Sequence, residues 1–138
     1  GSLIACLFGA WAILVGAQSA QPVPTLSGRE ALGLVRTVNT LEAEAFAKSG
    51  FYVALDQVNN TPRFRDAMTR LLPGEVIAQV DATTGTLRDY KLSVVPSADG
   101  KHYRLALVPE PPSRCGTSFF SGDPAVIYLG KALGCEGR

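Results

Sequence analysis

The sequence predicts an α+β protein in which one long helix packs on a small antiparallel sheet. Apolar residues recur every three or four positions between residues 28 and 49, and they alternate with other residues in short runs after residue 75. A third observation is the pair Cys115 and Cys135, which would close the C-terminal loop with a disulfide. The 138 residues provide one domain and an N-terminal extension. We divide the chain into an apolar segment with a proline break, residues 1–26, and a globular domain, residues 27–138.

The N-terminal segment is uncharged and apolar. No Asp, Glu, Lys or Arg precedes Arg29, and nearly every side chain from Leu3 to Ala17 is apolar. This run is slightly shorter than the roughly 20 residues of a transmembrane helix, and it is too apolar to be one face of a soluble helix. Something must therefore cover it on all sides. Because proline removes backbone donors, we expect the helix to break at Pro22 and Pro24.

Three interpretations of the apolar run follow from its composition. The first is a cleaved secretory signal, with small residues near Ala17 and Ser19 that suit a signal peptidase. The second is a lipobox at residues 3–6, but an apolar region should precede Cys6 and here it follows. The third, which we adopt, is a retained helix that the inner membrane holds before assembly and that copies of itself bury afterwards. Its assembly core would consist of Leu3, Ile4, Leu7, Phe8, Trp11, Ile13, Leu14 and Val15.

The domain begins with an amphipathic helix, residues 27–49. Ser27 is a good N-cap, Glu30 completes a capping box, and Gly50 is a natural stop. From residue 28 to residue 49 the helix would be about 33 Å long. Its apolar face would be formed by Leu34, Val38, Leu41 and Ala45, flanked by Ala31 and Val35. The other side would carry most of the charged residues, Arg29, Arg36, Glu42 and Lys48.

A short helix and three or four short strands are predicted after this helix. We expect a polar connection at 56–61 and a helix at 63–72 whose three arginines form a solvated face and not a binding site. Alternation predicts strands at 76–80, 87–95, 102–108 and 125–129, with a hairpin turn at Asp99-Gly100. One face would carry Val76, Ala78 and Val80 in the first strand, Tyr90, Leu92 and Val94 in the second, and Tyr103, Leu105 and Leu107 in the third.

The cysteines, the histidine and the charges exclude several classes of function. We predict a disulfide between Cys115 and Cys135, which fits an exported protein and would stabilise the fold by roughly 3 kcal/mol. Cys6 would act as a small hydrophobe in the apolar run. His102 is the only histidine, and no second Cys or His lies at ligand spacing, so we expect no metal, cofactor or catalytic site. Thirteen scattered basic residues against twelve acidic ones disfavour nucleic-acid binding.

The order of these parts resembles type IV pilins and the pseudopilins of type II secretion. Leu3-Ile4 opens an apolar helix as the start of mature pilins does, and Pro22 falls where pilins have a helix-breaking proline. The segment 34–42, LVRTVNTLE, is similar to the LRTINTAE segment of bacterial pilin helices, and residues 122–128, GDPAVIY, resemble the final strand of such domains. Ala5 stands where mature pilins usually carry a glutamate that pairs with a neighbour's N-terminus.

The resemblance implies a structural protein and not an enzyme. We expect a subunit of an extracellular, cell-surface helical filament whose partner is the same protein, assembled through the apolar segment. The alternative is an exported soluble pilin-like binding module, whose apolar segment is only an export signal. Such a module would recognise a partner through its sheet edge or through the Phe119-Phe120 loop.

Overall fold

The computed structural model describes residues 25–111, 115–132 and 135. These residues contain the helices α1 (Gly28–Ser49), α2 (Leu55–Asn59) and α3 (Pro62–Leu71). The strands that they contain are β1 (Ala78–Gln79), β2 (Thr84–Leu87), β3 (Tyr90–Pro96), β4 (Tyr103–Pro109), β5 (Thr117–Gly122) and β6 (Tyr128–Lys131). All six form one antiparallel sheet in the order β1-β2-β3-β4-β5-β6. The predicted α+β arrangement is confirmed, with more strands than expected.

Part of the prediction lies outside the described residues. This applies to the assembly core, which consists of Leu3, Ile4, Leu7, Phe8, Trp11, Ile13, Leu14 and Val15, and to the helix break at Pro22 and Pro24. The description begins at Thr25, and Leu26 is already buried in the core of the domain. The division into residues 1–26 and 27–138 therefore stays a prediction.

The boundaries of α1 are those that its caps predict. The Ser27 hydroxyl accepts a hydrogen bond from the Glu30 N–H at 3.1 Å, and the Glu30 carboxylate accepts one from the Ser27 N–H at 2.9 Å. At the other end, Gly50 has φ 79°, a left-handed conformation that glycine adopts readily because it has no Cβ. The capping box and the glycine thus delimit a helix of 22 residues.

The core lies between the helices and one face of the sheet. From α1 it receives the fully buried side chains of Ala31, Leu34, Val35 and Val38. From the central strands it receives alternate residues, and the predicted inward faces of β3 and β4 are confirmed. These sheet residues are Tyr90, Leu92, Val94, Tyr103, Leu105, Leu107 and Phe119. Complete burial of each large apolar side chain contributes about 1.5–3 kcal/mol, so this layer is the main source of stability.

α3 packs antiparallel to α1. Leu71, at the end of α3, lies beside Gly33, where an added Cβ would come within 2.7 Å of the Leu71 Cδ1. Arg63, at the start of α3, is paired with Glu44 farther along α1. Gly33 therefore allows the two helices to approach closely, and the helix predicted at 63–72 is confirmed within one residue at each end.

The connection predicted at 56–61 contains a helix. α2 begins at Leu55, and it buries Leu55 and Val58, which lie three residues apart on its inner side. A helix of five residues needs only two apolar side chains to bury one face, so the polar composition of this stretch concealed it.

The first two strand predictions are wrong in part. Only Ala78–Gln79 is strand in the first run, where Ile77 is buried and Val76 and Val80 are 80% and 66% exposed. The run predicted as one strand at 87–95 is divided between β2 and β3 by a turn at Arg88, which has φ 53°. Non-glycine residues seldom adopt positive φ, so contacts of the Arg88 side chain elsewhere in the fold must stabilise this turn.

The disulfide closes a hairpin rather than a loop. Cys115 and Cys135 are joined as predicted, with their Cα atoms 5.2 Å apart. Residues 119–120, expected in a loop, lie in β5. The last strand is Tyr128–Lys131, three residues later than the strand predicted at 125–129. The C-terminal part of the sheet is therefore a paired β5–β6 hairpin that the disulfide ties at its open end.

Candidate functional site

The segment 34–42, which carries the resemblance to pilin helices, divides into three sets of side chains on α1. The core set consists of Leu34, Val35, Val38 and Leu41. The buried polar set consists of Asn39 and Glu42. The outward set consists of Arg36, Thr37 and Thr40. The two polar sets are the candidates for a functional role, because apolar core residues are explained by packing.

Asn39 connects α1 to three other parts of the fold. Its side-chain oxygen accepts a hydrogen bond from the Tyr103 hydroxyl at 2.6 Å, and its side-chain nitrogen donates one to the Ser121 Oγ at 2.8 Å. The Ser121 hydroxyl donates in turn to the Val126 carbonyl at 2.9 Å. Burial raises the pKa of Tyr103, and the nearby Glu42 charge adds to the shift, so the phenol remains a donor. This chain of bonds holds β4, β5 and the turn before β6 to the helix.

Glu42 is a carboxylate with 0% of its surface exposed. Both of its oxygens accept from the Val53 N–H, at 3.2 and 3.3 Å. Burial raises the pKa of Glu42 to about 7, although the Val53 hydrogen bond opposes the shift. The ion pairs of the described residues do not include Glu42. Because a dissolved substrate does not reach a fully buried group, we assign Glu42 to proton-linked stability and not to catalysis.

The expectation that Glu42 faces away from the apolar side is wrong. Glu42 follows Leu34 and Val38 at successive steps of four residues, which places it on the same stripe of the helix. The helical period therefore indicated that Glu42 faces the core, but its charge led to the expectation of an exposed position. A hydrogen-bond donor outside the helix, the Val53 N–H, makes the burial possible.

The β5–β6 hairpin presents apolar side chains to solvent. Phe119 packs in the core, so strand alternation directs Phe120 outward, opposite Tyr128. Tyr128 and Leu129 are 65% and 60% exposed. Within the described residues β6 pairs only with β5, so it is an edge strand. We call the exposed apolar residues of this hairpin, Phe120, Val126, Tyr128 and Leu129, the hairpin surface; Leu129 pairs with Phe119 and so lies on the other side of β6 from Tyr128.

A cleft of about 230 Å³ lies between α1 and α3. Three arginine side chains line it, Arg36 from α1 and Arg63 and Arg70 from α3, together with Thr37 and Thr40. We call this the arginine cleft. The prediction that the arginines of α3 face solvent is confirmed by their exposure. The sequence did not indicate that two of them meet a third arginine from α1, because that requires the antiparallel packing of the two helices.

The start of α1 is fastened to the sheet by Arg88. Its Nη1 lies 3.4 Å from the Glu30 Oε1 and donates to the Thr25 carbonyl at 3.4 Å, while its Nε lies 3.1 Å from the Glu75 Oε1. The hydrogen bond from the Ser27 N–H lowers the pKa of Glu30, and Arg88 adds to the effect, so Glu30 remains charged. Two of these contacts, to the Thr25 carbonyl and to Glu30, hold the start of the domain to Arg88, and the third joins Arg88 to Glu75.

His102 is exposed and lies just before β4, close to the strand position that we expected. Its Nδ1 lies 2.9 Å from the Asp123 Oδ2. This hydrogen bond raises the pKa of His102 and lowers the pKa of Asp123. The described residues contain no group of three or more His, Cys, Asp or Glu side chains that could hold a metal ion. The His102–Asp123 pair joins the residue before β4 to the turn after β5 at the surface of the domain.

Comparison with known proteins does not identify a family. No family model, no curated protein and no solved structure matches the chain. Among the described residues, no helix combines the length and the hydropathy needed to cross a membrane. The resemblance to pilins therefore depends on the sequence features alone.

Proposed function

We propose that this protein is a structural subunit of an extracellular, pilus-like helical filament that assembles through its apolar N-terminal segment. The observation that carries the proposal is the stretch before Arg29, which contains no charged side chain and leads into α1. An apolar run of this length is unfavourable in water, and copies of the same run offer each other an apolar surface. Packing the runs together removes them from water and leaves the domains outside.

The packing energy supports this arrangement. Complete burial of each large apolar side chain between Leu3 and Val15 would contribute about 1.5–3 kcal/mol. The small residues between them, such as Gly9 and Ala10, allow neighbouring helices to approach closely. Ala5 provides no carboxylate for an ion pair at the start of the run, so cohesion would depend on apolar packing.

The junction between the segment and the domain also supports a subunit role. Thr25 and Glu30 both bond to Arg88, and Leu26 is buried. These contacts fix Thr25, Leu26 and the start of α1 to the rest of the domain. A filament requires such a connection, because the outer domains must keep a regular position relative to the packed runs.

A second candidate function is an exported binding module, which the hairpin surface favours. Exposed apolar side chains at a sheet edge often mark interaction sites, and Phe120 and Tyr128 lie opposite each other in this hairpin. We expected recognition through a Phe119-Phe120 loop, but Phe119 is buried and does not reach a partner. Phe120, Tyr128 and Leu129 are exposed at the sheet edge. In this function the apolar segment is an export signal and is removed.

Electron microscopy of the purified full chain tests the filament proposal. We expect filaments from the wild type and from Leu129→Lys, and none from Ile13→Lys, because a lysine in the packed apolar runs has no aqueous environment. Leu129→Lys is the matched control, since it adds the same charge on the hairpin surface. Filaments from Ile13→Lys, or from a chain that lacks residues 1–20, would contradict the proposal.

The mass of the mature protein separates the two candidates. A mass that includes residues 3–17 favours the filament, whereas a mass that starts near Gln18 or Gln21 favours the binding module. A partner that binds the wild type but not Leu129→Lys, together with the shorter mass, would establish the binding module instead.

A further inference from the structure

We infer that the arginine cleft between α1 and α3 is a binding site for a phosphate group, either free or as a small monoester. The site lies outside the apolar stretch before Arg29 that carries the filament proposal, and the inference does not depend on that proposal. Its lining residues are Arg36, Thr37, Thr40, Leu41, Arg63, Ala67 and Arg70.

The charges in the cleft indicate the charge of its ligand. Three arginine side chains line it, and one of them, Arg63, is paired with the carboxylate of Glu44. The ion pairs and hydrogen bonds of the described residues include no acidic partner for Arg36 or Arg70. Two positive charges therefore remain in excess, which matches a phosphate near neutral pH more closely than a single carboxylate.

The chemistry of the lining also favours phosphate. Guanidinium groups donate two parallel hydrogen bonds to phosphate oxygens, and they stay charged at every physiological pH. The hydroxyls of Thr37 and Thr40 donate to the carbonyls of Gly33 and Arg36, so at rest they serve the helix backbone. Either hydroxyl can rotate to donate to a bound oxyanion. The apolar floor formed by Leu41 and Ala67 limits competing water on one side.

The segment 34–42 explains why these residues meet. Its core set faces the sheet and its buried polar set bonds to β4 and β5, which fixes the rotation of α1 and directs Arg36 and Thr40 outward. Gly33 brings α3 close, and the antiparallel packing places Arg70 near the Arg36 turn and Arg63 near the Glu44 turn. The cleft thus follows from the same contacts that hold the fold.

Equilibrium dialysis of radiolabelled phosphate against the full chain tests the inference. All samples are kept in one assembled or detergent-solubilised state and at constant ionic strength, because exposed charges are screened by salt. We expect saturable binding of one phosphate per chain. Arg36→Gln and Arg70→Gln should each raise the Kd by about tenfold or more, since each removes a charge-assisted hydrogen bond. Arg104→Gln, which makes the same charge change at an exposed position on β4, should change the Kd by less than about twofold.

A gain of affinity distinguishes a binding site from a structural role for these arginines. Glu44→Gln removes the competing carboxylate and should tighten phosphate binding about two- to fivefold. Unlabelled glycerol phosphate distinguishes the two sources: displacement of the label at a lower concentration than unlabelled phosphate assigns a monoester, and displacement only at a higher concentration, or none, assigns free phosphate. The inference is overturned if no saturable binding occurs, if Arg104→Gln weakens binding as much as Arg36→Gln, or if acetate displaces phosphate at equal concentration.

Discussion

The inward and outward faces of α1 use polar residues in different ways. Inward, Asn39 and Glu42 are buried and bond to groups on other elements. Outward, Arg36 and Thr40 are exposed, and the Thr40 hydroxyl donates only within its own helix, to the Arg36 carbonyl. The inward polar residues therefore determine the position of the helix on the sheet. The outward residues are not needed for that and are available for binding.

The largest effect should come from the apolar part of the inward face. Leu34→Ala removes a fully buried side chain and should lower the free energy of unfolding by about 2–5 kcal/mol, because a cavity remains in the core. Leu129→Ala, the same chemical change at an exposed position, should alter it by less than about 0.5 kcal/mol. Urea unfolding followed by circular dichroism measures both. Equal losses in the two variants would contradict the assigned core.

The next effect is the pH dependence that Glu42 imposes on stability. Its pKa is about 7 in the fold against an ordinary value of 4.5, so the folded protein binds more protons between these pH values than the unfolded chain. The contribution of Glu42 to the free energy of unfolding is therefore fully present below pH 4.5. It is lost as pH rises through 7, and the loss amounts to up to about 3 kcal/mol. Glu42→Gln keeps an acceptor for the Val53 N–H and removes the titration.

Unfolding of the wild type and of Glu42→Gln at pH 5 and pH 8 checks this. We expect the free energy of unfolding to be markedly lower at pH 8 than at pH 5 in the wild type, and the difference to be smaller in Glu42→Gln. His102 also has a raised pKa, so its contribution likewise declines as pH rises, but it is present in both proteins. An identical decline in the two proteins would show that Glu42 is not the group responsible.

A smaller effect should follow from the hydrogen bond at Asn39. Tyr103→Phe removes the hydroxyl that donates to Asn39, and the buried oxygen that loses its donor should cost about 1–2 kcal/mol of stability. Tyr128→Phe is the matched control, since Tyr128 is 65% exposed, and it should have an effect below about 0.5 kcal/mol. Comparable values for the two variants, again from urea unfolding, would remove the distinction between buried and exposed polar groups.

The smallest effect on stability is expected on the outward face. Arg36→Gln should leave the free energy of unfolding within about 0.5 kcal/mol of the wild type, because Arg36 is exposed and holds no ion pair with any described residue. The same variant should lose phosphate binding. A large loss of stability would instead place Arg36 among the residues that maintain the fold.

Local sequence signals predicted the elements that local interactions define. The ends of α1 follow from Ser27, Glu30 and Gly50, which act within one turn of the helix. The turn at Asp99-Gly100 and the inward faces of β3 and β4 follow from turn chemistry and from alternation. The Cys115–Cys135 disulfide was also predicted, because two cysteines remained near the C-terminus apart from Cys6.

The errors occur where contacts distant in the sequence outweigh local preference. The chain turns between β2 and β3 at Arg88, whose side chain bonds to Glu30, 58 residues earlier in the sequence. Glu42 is buried because the Val53 N–H supplies its donor. Ile77 rather than Val76 faces inward, a choice that the alternating run by itself did not specify. None of these partners is visible in a local window of sequence.

The uncharged opening segment, the long capped helix and the alternating strands can be predicted from sequence, since each depends on neighbours within a few residues. The burial of particular polar residues of α1 and the meeting of three arginines in the cleft could not be predicted from sequence, because both depend on the tertiary structure. The physical reason is that burial of a polar group, and convergence of like charges, depend on partners that the fold brings together from separate elements.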